Sequence, residues 1–312
     1  MYGMLLLSAC QYGQAEYGDA MWSKVLEFAG VKNTVFDPHV RYPDHIFTQL
    51  AEACTVLIGE GDHDDYMVFF GRCFVRYCSS YGYDKVLRRA GRYFCHFLQE
   101  VDNLHAQLRF SFHKMRSPSM IVTKFDAEGA ILQYRSCRVG FTHYVIGQLL
   151  QIANDFYNLQ LQVTVVGEEV LGDINCISYR LDFDNRDFLQ DFHQKEIDFS
   201  RPSLPNTSLH IILQLFPCGI VMDSKLRVRV AGERIHQLLG SSLIGSPFVN
   251  YFSIRRPVMQ FSWKEVVIHD RVAWEVVARI KAPSPSSTPT PSDLQNSSSQ
   301  NKSGTSDCPQ NP

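Results

Sequence analysis

The stretch "DNLHAQLRFSF", residues 102–112, places a histidine where a helix should be apolar. Phe97, Val101, Leu104 and Leu108 recur at helical spacing, and His105 falls on their stripe, while Asp102, Gln107 and Arg109 fall on a polar face. A buried imidazole needs a partner. Two kinds remain open at this point: a backbone carbonyl, as for an ordinary core histidine, or a metal or cofactor.

Outward from this stretch, the first half of the chain has a helical period. Segments 17–30, 44–58, 64–80, 83–90 and 92–112 carry apolar residues every three or four positions, separated by punctuation such as "FDPH", "GEGDHDD" and "SSYGYD". From about residue 118 the period becomes two. "SMIVTKFD" and "AILQYRSCRV" alternate around the turn "DAEGA", a helix follows from about 141 to 157, and "QLQVTVV" and "CISYRLDF" read as further strands. The pattern predicts an α+β fold, a mainly helical unit with a small antiparallel sheet, over residues 1–186. The polar stretch 187–206 reads as a linker with at most a short helix. Residues 207–280, from the alternating "HIILQLFPCGIVMD" through "KLRVRVAGERIHQLLG", predict a second α+β unit in the order strand, strand, short helix, loop, helix. Residues 281–312 are rich in Pro and Ser and lack aromatic side chains, which predicts a disordered tail.

Composition narrows the class of function. With 312 residues the chain has room for two cores, and 45% hydrophobic residues with 12% aromatics describe a globular protein. A net charge of -2 offers no electrostatic footprint for nucleic acid. The nine cysteines are odd in number, scattered, and never spaced as Cys-x-x-Cys, which predicts reduced thiols and a cytoplasmic location rather than a disulfide framework or a zinc site. The apolar run in "MYGMLLLSAC" has no basic residue before it and reads as the start of a buried helix. No run reaches the roughly 18 apolar residues of a membrane span, so no span is expected.

The strand "QYRSCR" supplies a second signal. In an extended strand Tyr134, Ser136 and Arg138 share one face, and Arg135 and Cys137 the other. A phenol, a hydroxyl and a guanidinium pointing together suit a pair of carboxylates, since Arg offers a planar fork and the hydroxyls add neutral hydrogen bonds. The competing reading is the exposed polar face of an edge strand. Combined with His105, the trio matches what haem requires: one nitrogen ligand for iron, apolar walls, and partners for two propionates.

Residues 1–186 resemble the H-NOX haem domain of soluble guanylate cyclases, and the elements that carry the resemblance are "LHAQL" with His105, "MRSPS" with Pro118, and "YRSCR" with Tyr134, Ser136 and Arg138. "MYG", Tyr17–Gly18 before Trp22, and "GYDKVLRRAGR" from Gly82 also resemble the beta-type subunits. The second unit is similar to the PAS-like H-NOX-associated domain, on "LFPCGIVMDSKLRVRVAGERIHQLLG" and "FSIRRPVMQFSW". The resemblance implies that haem b (iron protoporphyrin IX) is held with His105 as its metal ligand, and that Pro118 packs against the porphyrin. A plain proline at the start of a strand is the alternative for Pro118.

The resemblance also bears on the gas. In "GFTHYVIGQLL", Tyr144 stands where nitric-oxide-selective beta subunits carry an aliphatic residue and stable oxygen binders a tyrosine, and Phe74 stands where bacterial oxygen binders have a supporting amide. An oxygen or mixed oxygen and nitric oxide sensor in cyclic GMP signalling is therefore expected. A ring of Tyr144 turned into the helix interface, with its hydroxyl on solvent or backbone, stands against that role. The expected partner is a second copy or another guanylate cyclase subunit. Whether the chain is an enzyme stays open, but no cyclase catalytic domain is recognised in it, so the chain alone is expected to be inactive. A haem-independent dimerisation partner or decoy, regulating a cyclase-bearing subunit, is the alternative.

Overall fold

The computed structural model describes residues 1–31, 35–112, 114–200, 208–269 and 272–279. Six helices come first: α1 (Gly3–Tyr17), α2 (Asp19–Phe28), α3 (His45–Leu57), α4 (His63–Ser80), α5 (Asp84–Arg89) and α6 (Phe94–Ser111). The segment expected as one helix from residue 17 is divided at Gly18, whose φ of 80° ends α1 and begins α2. Helix α4 is started by a capping box in which the Asp62 carboxylate accepts from the Asp64 and Asp65 amides and Asp65 accepts in return from the Asp62 amide.

The change of period near residue 118 is real. Strands β1 (Ser119–Asp126) and β2 (Gly129–Ser136) form a hairpin, helix α7 (Thr142–Tyr157) follows, and β3 (Gln162–Leu171) and β4 (Ile174–Asp182) complete an antiparallel sheet of order β1-β2-β4-β3. Gly129 turns the first hairpin at φ 145°, where a methyl group would overlap the Leu181 carbonyl.

Two cores result. On the sheet side, Phe94, Phe97 and Leu98 of α6 pack with Leu132 and Tyr134 of β2, Tyr179 and Leu181 of β4, and Val145 and Leu149 of α7. On the helical side, Leu6, Trp22, Phe47, Met67 and Phe70 pack with Phe141 and Tyr144. Helix α7 serves both, because adjacent residues project about 100° apart around it, so that Tyr144 joins one core and Val145 the other. It is pinned to α4 at a glycine crossing: a methyl at Gly71 would overlap the Tyr144 carbonyl oxygen, and one at Gly147 would overlap that of Val68.

Two expectations fail here for identifiable reasons. The stretch read as a linker with at most a short helix instead forms α8 (Arg186–Ser200), because Phe188, Leu189 and Phe192 make a stripe that packs onto the sheet-side core, with Phe188 only 1% exposed. The alternating run after it opens as a helix, α9 (Leu209–Leu215), halted ahead of Pro217, and only then becomes strand β5 (Ile220–Met222). Strand β6 (Val228–Ala231), helix α10 (Glu233–Leu239), strand β7 (Phe252–Arg256), helix α11 (Trp263–Ile268) and strand β8 (Glu275–Ala278) follow, with β5 paired to β6 and β7 to β8 in separate antiparallel ladders. Val228, Leu243, Phe248 and Phe252 form their small core. The expected tail, 281–312, lies outside the described residues.

Candidate cofactor site

Helix α6 buries Phe97, Leu98 and Val101 as its spacing requires, and His105 lies two turns further along, half-buried. Its Nδ1 atom is inaccessible and has no hydrogen-bond partner among the described residues. The nearest charge is Asp102, one turn back, with Oδ1 4.0 Å from that nitrogen. Asp102 was expected on the polar face, yet it is buried at 9% exposure. Its carboxylate accepts from the Ser119 hydroxyl at 2.9 Å and from the Met120 amide at 2.8 Å, which ties α6 to the start of β1. A buried carboxylate tolerates that position only because β1 presents it with donors. The same carboxylate can orient the imidazole, in the way a carboxylate behind a ligating histidine fixes its ring.

Pro118 is the residue immediately before β1, between Ser117 and Ser119, and is half-buried.

Strand β2 holds Tyr134 and Ser136 on its buried face, 3% and 8% exposed. Arg138 lies beyond the strand, whose pairing ends at Ser136, so strict alternation does not place it. A turn does so instead: the Ser136 hydroxyl oxygen accepts from the Arg138 amide at 3.1 Å. Burial raises the phenol pKa of Tyr134, while a hydrogen bond with Ser136 and the nearby Arg138 charge pull it back. The three side chains are thus neighbours. Arg138 is engaged by a residue that spacing did not reveal, with Nε 3.4 Å from Oδ2 of Asp44 at the start of α3. It also lies over the Phe141 ring at 5.7 Å.

Tyr144 and Phe74 come together as well, with ring centroids 6.3 Å apart. Tyr144 further packs edge-on against Phe47 at 5.1 Å and Phe141 at 5.6 Å. Its ring does enter the helix interface, but its hydroxyl is inaccessible and has no partner among the described residues. Burial holds the phenol pKa well above its ordinary value, with Arg138 and Tyr134 close enough to influence it. It therefore remains an O–H donor, in the helical-side core and within electrostatic reach of Tyr134 and Arg138.

The glycine crossing explains why Tyr144 and Phe74 meet. Gly71 lies one turn before Phe74 on α4, and Gly147 one turn after Tyr144 on α7. Glycines inside helices carry no periodic signal, so Gly71, Gly147, Asp44 and the true setting of Asp102 were not visible in the sequence pattern.

Among the described residues no group of three or more His, Cys, Asp or Glu side chains could hold a metal ion. A metal at His105 would need a prosthetic group to supply its other ligands, and the residues present fit haem: one imidazole, a cluster of hydrogen-bond donors for carboxylates, and a lone hydroxyl in an apolar wall.

A family model described as Haem-NO-binding matches residues 2–165, and one described as Heme NO binding associated matches residues 205–310. Soluble guanylate cyclase 89Db of Drosophila melanogaster is 38% identical over 298 residues, covering 88% of this chain and 44% of its own length. Soluble guanylate cyclase 89Da of the same organism is 39% identical, covering 82% and 42%, and gcy-31 of Caenorhabditis elegans is 29% identical, covering 89% and 40%. The chain thus spans less than half the length of these relatives. Among solved structures, one from work titled "Structural insights into the molecular mechanism of H-NOX activation" superposes with a TM-score of 0.51 at 18% identity, covering 59% of this chain and 96% of that one. A point mutant of the T. Tengcongensis H-NOX gives the same TM-score of 0.51, covering 97% of that chain. Among the described residues no helix is long and apolar enough to cross a membrane.

Proposed function

The chain belongs to the Haem-NO-binding family, and on that premise we propose that it is the haem-based gas-sensing, regulatory region of a soluble guanylate cyclase, with oxygen and nitric oxide as its ligands. The observation that carries the reading is the state of two buried polar atoms. His105 Nδ1 and the Tyr144 hydroxyl are shut off from water and unpaired, while Asp102, Ser119 and Ser136 around them are bonded. The Tyr144 hydroxyl left unpaired costs about 1–3 kcal/mol, which a bound group accepting from it offsets; at His105 the Asp102 carboxylate lies toward Nδ1, so Nε2 is the nitrogen that would ligate.

When bound, haem b would supply an iron with an open position for a diatomic gas. The residues of this chain do the rest. His105 ligates, Asp102 behind it limits rotation of the ring, and Tyr134, Ser136 and Arg138 hold the propionates. Asp44 steadies Arg138 but also competes for it, since both the propionates and Asp44 carry negative charge. The Tyr144 hydroxyl offers a hydrogen bond to a ligand that gathers negative charge, which favours oxygen, while nitric oxide needs no such donor. Phe74 beside it has no amide to share the task.

Visible absorption of the reduced protein under argon, then air, then nitric oxide tests this. A Soret band that shifts in both gases supports the full reading. A shift with nitric oxide alone removes oxygen, and no band after haem is supplied removes the sensor.

One observation favours the second reading, a haem-independent partner that regulates a cyclase-bearing subunit. Helix α9 has no buried residue and exposes Ile211 and Leu215, with Phe216 exposed just beyond its end, a surface suited to a partner. Titration of this chain into a full-length subunit separates the two: suppression of cyclic GMP output that ignores gas supports the partner reading.

A further inference from the structure

Two surfaces of the first unit lie outside the cofactor site and are matched in charge. The strip 81–92, "YGYDKVLRRAGR", carries Lys85, Arg88, Arg89 and Arg92 against Asp84 alone. Leu87 and Ala90 turn inward onto the sheet-side core, and the four cations are exposed. Their partners within the chain are neutral: Arg88 donates to the Asp155 carbonyl oxygen at 3.3 Å and lies over the Phe156 ring, and Arg92 lies over the Tyr93 ring. Among the described residues no carboxylate pairs with them. Tyr81, 61% exposed, stands beside them with Tyr83 and Val86, so the strip is apolar as well as basic.

The tip of the β3–β4 hairpin, 166–174 or "VGEEVLGDI", is its complement. It carries Glu168, Glu169 and Asp173 with no cation, and exposes Val170 at 71% together with Leu171 and Ile174. This tip projects past the rest of the sheet: the pairing of β4 with β2 stops at Asn175, while β3 and β4 continue to Leu171 and Ile174. The two surfaces lie at opposite ends of β3. The Tyr157 hydroxyl donates to the Gly91 carbonyl oxygen at 3.2 Å, which sets the strip where α7 leads into β3. The tip lies at the far end of that strand, ten residues long, or roughly 33 Å of extended chain. Strand β3 is also the outermost of its sheet, in the order β1-β2-β4-β3.

We propose that the hairpin tip of one copy docks on the basic strip of a second copy of this chain. A second copy laid end for end along the β3 edge satisfies both surfaces at once: each tip faces the other's strip, and two identical contacts close about a two-fold axis. The guanidinium forks of Arg89 and Arg92 match the carboxylates of Glu168 and Glu169, and Val170 and Leu171 cover the exposed Tyr81, Tyr83 and Val86. An anionic membrane would engage the strip alone, because it repels the three carboxylates of the tip and leaves its apolar residues in water. The inference does not rest on the gas reading, since neither surface includes His105, Tyr144 or the strand trio.

Zero-length cross-linking of the full chain tests it. In an equal mixture of isotope-labelled and unlabelled protein at low salt, a carbodiimide should join Lys85 of one copy to Glu168, Glu169 or Asp173 of the other, as read by mass spectrometry. Two double variants, Arg89→Glu with Arg92→Glu and Glu168→Lys with Glu169→Lys, should each lower the yield of these links at least about tenfold, since like charges then face each other. Mixing the two variants should restore the links, because each reversed surface now meets its opposite. Links found only within one copy, no recovery on mixing, or capture of the wild-type chain by phosphatidylserine vesicles with no link between copies overturns the proposal. The wild-type links stand even if a variant does not fold. Read on haem-free chain, they also stand if the gas-sensing reading fails.

Discussion

The helix that carries His105 and the helix pair that carries Phe74 and Tyr144 are held in opposite ways. Helix α6 is fixed over its last three turns by hydrogen bonds and charges that reach far along the chain: Asp102 to Ser119 and Met120, Asn103 to Ala273, Arg109 to Glu275. Helices α4 and α7 meet backbone to backbone at Gly71 and Gly147, with no side chain between them. Polar contacts exchange one partner for another at modest cost, whereas a close-packed crossing has one arrangement. On these contacts the histidine side is expected to yield before the tyrosine side does.

The largest expected effect is on the histidine side. Replacing His105 with glycine should abolish the Soret band of the purified protein, and imidazole added to the medium should restore it by occupying the vacated space. On the rigid side, Gly71→Ala should cost about 3 kcal/mol, since neither backbone can retreat from the added methyl, and a fall in melting temperature checks this. If Gly71→Ala is tolerated, the crossing is not the firmer of the two sides. Asp102→Asn should cost about 1.5 kcal/mol, because the amide can keep its oxygen on the Met120 N–H and donate to the Ser119 hydroxyl, but the charge that strengthens both bonds is gone, and urea denaturation reads it. The smallest effect has the opposite sign. Tyr144→Phe removes an unpaired buried hydroxyl and should stabilise the haem-free chain by about 1 kcal/mol, while speeding oxygen release from the haem-loaded chain. A residue that destabilises the fold yet slows ligand loss is kept for the ligand. An unchanged oxygen release rate would leave Tyr144 as packing.

The pH behaviour of that tyrosine follows from its burial. Its phenol pKa is raised in the folded chain, so the proton is retained where an unfolded chain would release it, and stability falls as pH rises above about 10. Buried thiols add to this loss: burial pushes Cys54, Cys73 and Cys95 up to about 12.

What could be read in the sequence was what local period encodes. The helices of the first half, the hairpin, and the shared face of Tyr134 and Ser136 follow from spacings of 3.6 and 2. Arg138 escapes that rule, since a turn beyond the strand places it. Asp102 was misread because its donors lie 17 and 18 residues away, and the expected polar face is polar toward the protein rather than toward water. Helix α8 was hidden by its charges, although Phe188 and Phe192 at i and i+4 were a usable sign. Helix α9 escapes local period as well, because a short apolar run fits a strand or a helix until its flanks decide.

The glycine crossing also bears on how such a protein can change over generations. In the proposed site the room beside Tyr144 would depend on how closely α4 and α7 approach, and that approach depends on two positions with no side chain. A substitution at either can widen the space while every residue lining it stays the same. Under the proposed function, ligand preference would then be set at the crossing as well as by the residues around Tyr144.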